Sequence, residues 1–326
     1  MDYIKPFFNL DDQVLQLERR GLYINDKDAA KDFLSKVSYY KFSGYTLFFE
    51  EKDISGIRSH KFIKGTSFDN IKNLYLLDKE LRTLIWPKIL EIEVFFKTTF
   101  TNKLAEAGGC FVLYDKNNFK KEEEYFRMIE NLHKAIYDNR NELFVNHHIK
   151  RYWEYTGTLH ISFEEFKNQV VACSTDLNQF PVWEAAEIFT FGQISVIYAN
   201  LKEELKQIIA KEIDLTPRAL STWLHAFTIT RNICAHNSRL YNKEIKAQPY
   251  IFKVWEKDLS SVKCKQRIGP ILFCIKEFLK KYDKDCGVWK SDIEQTVNSF
   301  KCYNEAYFLE SMGLFNGWHK TDLWKI

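Results

Sequence analysis

Between residues 67 and 107 apolar side chains recur at steps of three and four: Ile71, Leu74, Leu77, Leu81 and Ile85, then Ile89, Ile92, Phe96, Phe100 and Leu104. That spacing puts them on one stripe of an α-helix. Ser67 and Asp69 offer capping oxygens at its start and Gly108-Gly109 a stop. Pro87, which lacks the N–H and crowds the preceding turn, is expected to break or restart the helix. A second stripe, Leu220, Trp223, Leu224, Phe227, Ile229 and Ile233, follows Thr216-Pro217, a capping hydroxyl before a proline suited to the first turn. Residues 117–150 give a charged helix with Phe126, Ile129, Leu132, Ile136 and Leu143 inward. Ser162-Phe163-Glu164-Glu165 is a capping box. The first 60 residues give short helices, capped at Asp11 or Asp12 and at Asp26 or Asp28, and two more short helices are expected between Tyr250 and Tyr282.

Composition reinforces the helical pattern. With 12 Gly and 6 Pro against 16% aromatics in 326 residues, breakers are few and large packing groups many. The expected class is all-α. No repeat, low-complexity tract or linker interrupts the chain, so one helical unit is expected over 1–326, with an N-terminal segment (1–65), a core (66–250) and a C-terminal segment (251–326). Seven cysteines without a C-x-x-C pair support neither a disulfide framework nor a zinc site, and Cys234 is expected to be a small buried thiol. His147-His148 has no carboxylate or thiol companions at ligand spacing, so no metal or other cofactor is assigned. No segment approaches membrane-spanning length and the first residues carry charges where a signal peptide needs an apolar run; a reduced cytoplasmic setting with no membrane partner is expected.

A net charge of +3 is too small to announce a nucleic-acid binder, and the ten Lys/Arg against five Asp/Glu in residues 251–290 suit a solvated helix face as well as an RNA backbone. Chemistry concentrates elsewhere. Into the last turns of the helix from Thr216 the chain places Arg231, Asn232, His236, Asn237 and Arg239, with Asn242 just beyond. Burying such a cluster is costly unless each group is paired, so it is expected to line a cleft. Asn232 and His236, four apart, share a face, whereas Arg231 lies about 140° round from His236 on an ideal helix. One helix therefore does not aim both at one point; a second copy across a two-fold axis would bring two Arg and two His around one groove. Histidine exchanges protons near neutral pH and arginine matches phosphate oxygens, a pair suited to RNA cleavage through the ribose 2′-hydroxyl. Spacing alone leaves a plainer alternative open, in which the same side chains only finish a helix C-terminus.

Arg231-Asn232-Ile233-Cys234-Ala235-His236 resembles the R-x4-H signature of HEPN ribonucleases, and the longer run to Asn242 is similar to the signature of the abortive-infection (Abi) family, the AbiD/AbiF-like group. Tyr39-Tyr40-Lys41-Phe42-Ser43-Gly44-Tyr45 resembles a second family pattern, with Lys41 and Phe42 departing from it. Pro181 to Ser195 resembles the family's P-x-W-x-x-x-E-x-x-x-F-G-x-L-S motif, and Met312 to Trp324 its C-terminal strap. The resemblance implies a HEPN-like bundle with N- and C-terminal helical extensions, homodimerisation through the Arg231–His236 helix, and a metal-independent endoribonuclease toxin of phage defence. It also implies restraint by, or complex formation with, a structured non-coding RNA. On this reading His236 is general base or acid, Arg231 clamps the phosphate and Asn232 orients the imidazole. Asn237, Arg239 and Asn242 contact RNA or fix the loop. Asp78, Arg82, Glu93 and Lys97 stand where the family keeps such residues, which makes Arg82, Glu93 and Lys97 further RNA-binding or supporting candidates, with Glu93 set to orient Arg231 or Lys97. Asn237 stands where many relatives have a second His, so a two-histidine division within one chain is not available. A non-catalytic RNA-binding helical protein is the alternative. Without the family, Trp183, Ile188 and Phe191 are expected in the core, Gly192 between two helices, and Glu184 and Glu187 in solvent, with support of the active site as their alternative role.

Overall fold

In the computed structural model, which describes residues 7–174, 179–262, 264–282, 286–300, 302 and 304–325, the chain is helical throughout apart from one hairpin. Three short helices open it, α1 (Leu10–Arg19), α2 (Lys27–Val37) and α3 (Tyr39–Thr46), and the hairpin β1 (Glu50–Lys52) and β2 (Arg58–Phe62) follows, antiparallel. Asn9, not Asp11 or Asp12, caps α1; Asp26 caps α2. The hairpin was not expected: its strands carry no clean alternation, being exposed at four of the five β2 positions.

The long apolar stripe becomes α4 (Phe68–Gly108), a single helix of 41 residues started by a capping box between Ser67 and Asn70. Pro87 does not break it. Thr83, whose carbonyl loses its partner to the proline, and Pro87 itself both face solvent, so water can satisfy the orphaned oxygen while core contacts hold the rest straight. Residues 117–150 split into α5 (Glu122–Asp138) and α6 (Leu143–Arg151). Leu132 and Ile136 are buried as expected, but Phe126 and Leu143, also expected inward, are 58% and 87% exposed, and Met128 and Ala135 bury with Leu132 and Ile136.

After α7 (Phe163–Gln169), opened by the Ser162–Glu165 capping box, come α8 (Val182–Ile188) and α9 (Phe191–Asn200). The break between them lies at Phe189 and Thr190, with Thr190 capping α9; Gly192 sits inside its first turn, where a Cβ would come 3.3 Å from the Thr228 methyl. Ile188 and Phe191 are buried as expected, while Trp183 is half exposed. The helix α10 (Glu203–Glu212) leads to α11 (Pro217–Ala235), capped by Thr216 with proline in its first turn. The C-terminal part adds α12 (Lys253–Glu256), α13 (Ile268–Leu279), α14 (Gly287–Ser299) and α15 (Glu305–Met312).

α4 is the axis. α11, α8 and α10 pack along one side of it, α3 near its start, and α13 and α14 behind it, where Trp289 Nε1 donates to the Leu84 carbonyl at 3.0 Å. One continuous apolar cluster joins these elements. Among the described residues no helix is long and apolar enough to cross a membrane, and no group of three His, Cys, Asp or Glu is placed to hold a metal ion.

Candidate active site at the end of helix α11

The inner side of α11 is apolar but for Thr230, whose buried hydroxyl donates to the Ala226 carbonyl: Leu220, Trp223, Leu224, Phe227 and Ile233 are buried. Its outer side carries Arg218, His225, Asn232 and His236, all exposed. His225 precedes Asn232 by seven residues and His236 by eleven, so at 100° per residue all three fall within about 20° of one line. Sequence reading passed over His225, although its heptad spacing to Asn232 was legible.

Helix α11 ends at Ala235, and His236 is its C-terminal cap. Asn237 takes a left-handed conformation (φ 52°). Its N–H donates to the Cys234 carbonyl at 3.0 Å and Ser238 N–H to that of Ile233 at 2.9 Å, the paired bonds of a Schellman stop. Asparagine tolerates this conformation better than most residues, so Asn237 has a backbone duty in ending the helix. The turn throws the chain back across α4.

There the loop is tied down by a buried knot. The fully buried carboxylate of Asp78 accepts from Tyr241 N–H at 2.6 Å, Leu240 N–H at 3.2 Å and the Tyr45 hydroxyl at 2.6 Å, and pairs with Arg82 one turn along α4. Arg239 donates to the Gly44 carbonyl. Burial lifts the Tyr45 hydroxyl well above its usual range, with the Asp78 charge adding to it, so it stays a donor. Burial opposes the charge on Arg82, but Asp78 and Tyr45 more than offset it and the net shift is upward. Burial also pushes the Cys234 thiol up to about 12, which makes it a packing group and not a nucleophile. Arg82, taken in the sequence as a candidate for RNA contact or support, is therefore sealed inside and can act only through the knot. Arg239 fixes the loop, and Asn242, half-buried with φ 50°, turns the chain at the loop's far end.

Arg231 goes the other way. Its side chain is 37% exposed, with Nε 3.9 Å from Glu93 Oε2 and Nη1 donating to Asn232 Oδ1 at 3.3 Å. Glu93 also pairs with Lys97 at 3.5 Å, and Lys97 Nζ donates to the Phe189 carbonyl at 2.9 Å where α8 ends. The structure thus brings Arg231, Asn232, Glu93 and Lys97 together, with His236 one turn beyond Asn232 and open to solvent. Arg231 leans over α4, whereas His236 faces outward on the Asn232 line. Beside Glu93, α4 presents Thr83, Trp86, Pro87, Leu90, Val94 and Thr98 to solvent, a face with no charged side chain.

The family model described as Abi-like protein matches residues 32–242. The matched span opens inside α2 and closes at Asn242, so it takes in the knot, the exposed rim and the face of α4, and stops short of α12 to α15. No curated protein and no solved structure matches the chain.

Proposed function

The chain belongs to the Abi-like protein family, which points to abortive infection, and from that membership and the rim of α11 we propose a metal-independent endoribonuclease toxin of phage defence with a HEPN-like core of the AbiD/AbiF type. The observation that carries the reading is the exposure of Asn232 and His236 at the end of a helix whose inner side is fully packed, with Arg231 braced beside them by Glu93. Nothing in the packing of α11 requires Asn232 or the imidazole of His236.

The reaction fits the groups. His236 removes the ribose 2′-hydroxyl proton, the oxygen attacks the adjacent phosphorus, and the 5′-oxygen leaves with a proton, giving a 2′,3′-cyclic phosphate and a 5′-hydroxyl. Arg231 balances charge on the non-bridging oxygens, and Asn232 positions the imidazole or donates to the phosphate. Because Arg231 and His236 face different ways, the site is completed by a second copy of the chain, one copy giving the base and the other the acid. The uncharged face of α4 beside Glu93 supplies the apolar contact for that homodimer. Restraint of the toxin by a structured non-coding RNA is part of the proposal, and copurifying RNA, read as raised absorbance at 260 nm, is its first check.

Labelled total RNA incubated with the protein in EDTA at two salt concentrations tests the reading. Scission to cyclic-phosphate ends that is lost in His236→Ala and Arg231→Ala supports it; folded variants that cut as fast as the parent end it. Salt-sensitive binding without scission would instead mark a protein that holds RNA, and no association a purely structural module.

A further inference from the structure

A cavity of about 330 Å³ opens between the end of α6 and the start of α8, away from Arg231. Phe111, Tyr152 and Trp183 form its aromatic walls, with His148 and Glu184 among its lining. Trp183 is 49% exposed and Tyr152 47%, so two large ring faces are left half wet at its mouth. Glu184 lies against His148: His148 Nδ1 is 3.0 Å from its buried Oε2, and the His148 ring is itself buried against Phe180 at 4.6 Å and Tyr152 at 4.9 Å. The Glu184 side chain nonetheless remains 26% exposed. Just before Tyr152, Lys150 and Arg151 are exposed and, among the described residues, engaged in no ion pair.

Aromatic faces, a carboxylate acceptor and two free cations are the three things a nucleotide offers partners for: a ring to stack, donors on the base edge, and phosphate. Two larger cavities lack this set. The one between α4 and α14 is lined by Glu80 and Asp292, which repel phosphate; in the one between α5 and α9, Arg127 is already paired with Glu124.

We infer that the Trp183–Glu184 cavity is a nucleobase subsite, in which a base of bound RNA stacks on Trp183 and Tyr152, donates to Glu184, and has its phosphate met by Lys150 and Arg151. Glu184 Oε2 is buried against His148, so Oε1 is left to accept one hydrogen bond; bases with an exocyclic amino donor are favoured over uracil, whose N3–H is flanked by two carbonyls that repel the carboxylate. The subsite rests on the proposed RNA reading and adds selection to it. Helix α8 runs about 10 Å from Trp183 to its far end; there the Phe189 carbonyl holds Lys97, which pairs with the Glu93 that braces Arg231. A strand seated in the cavity would thus reach the rim within a few nucleotides, and the seated base would set where the cut falls.

Fluorescein-labelled hexaribonucleotides, UUGUUU against the same oligomer with A, C or U at the third place, are titrated by anisotropy into the full-length His236→Ala protein and variants built on it. The G, A and C oligomers should bind better than the U oligomer. Trp183→Ala should weaken it about five- to hundredfold, the worth of one stacked base, while Trp183→Phe retains most of the affinity. Glu184→Gln should flatten the ranking of bases, and Arg151→Ala should weaken all four alike with a shallower salt dependence. The inference is overturned if Trp183→Ala and Glu184→Gln bind the four oligomers with unchanged affinity and ranking, a result that leaves the cleavage reading standing. Conversely, if Trp183→Ala loses binding while His236→Ala and Arg231→Ala proteins still cut, the subsite stands and the catalytic reading falls. A chain that binds no oligomer at all removes both.

Discussion

Arg231 and Arg239 belong to the same twelve-residue signature, yet one stands half exposed over α4 and the other is committed to the Gly44 carbonyl beneath the loop. The same division runs through the whole polar set. Asn232, His236 and Arg231 form a wet rim; Asp78, Arg82, Tyr45 and Arg239 form a dry or half-dry knot that fixes where the rim stands. A shared sequence pattern thus combines groups left open to solvent and groups shut away from it.

If the division is right, substitutions on its two sides fail in different ways. His236→Ala should cut RNA cleavage about a hundred- to ten-thousandfold with an unchanged melting temperature, since the side chain is exposed and caps nothing by itself. A cleavage rate within a few-fold of the parent would place His236 outside the chemistry. Asp78→Ala should do the reverse, costing about 3–5 kcal/mol of stability in denaturant titration by leaving Arg82 buried without its partner and two backbone N–H groups unsatisfied. A stable Asp78→Ala protein would mean that water reaches the knot.

Smaller effects sharpen the boundary. Leu90→Asp, in the uncharged face of α4, should shift the protein to monomer by sedimentation and make cleavage depend on concentration, with little change in the far-UV spectrum. Glu93→Gln should lower kcat by about tenfold with little change in KM, because a loosened Arg231 loses aim more than contact; an equal rise in KM would make Glu93 a binding group.

The smallest concerns pH. Burial holds the Cys234 thiol protonated up to about 12, against about 9 for a free thiol. The stability this confers is complete below about pH 9 and is lost as pH climbs toward 12. The parent should therefore lose melting temperature more steeply than Cys234→Ala between pH 9 and 11, and parallel slopes would show that the knot is already open to solvent.

Much of this was visible in the chain. The stripes of α4 and α11, the Ser67 and Thr216 caps and the Ser162 box depend on residues within a turn of each other, and each appears where the pattern put it. The errors are those of longer range. Pro87 was expected to break α4 and does not, because core contacts along α4 outweigh one missing hydrogen bond that solvent can replace. Trp183 was expected in the core and stands half exposed at a cavity mouth, while Glu184, expected in solvent, is half-buried because α6 brings His148 against it.

By itself, then, the sequence determined that the chain is helical, where its long helices begin, and that a polar cluster ends α11, since these follow from spacing, capping chemistry and composition within short stretches. Which of those polar groups face water was decided only by the packing of α11 and its following loop across α4. Asp78 and Leu240 lie 162 residues apart, and whether an arginine is a clamp for phosphate or a counter-ion in the core depends on which carboxylate or carbonyl the fold carries to it.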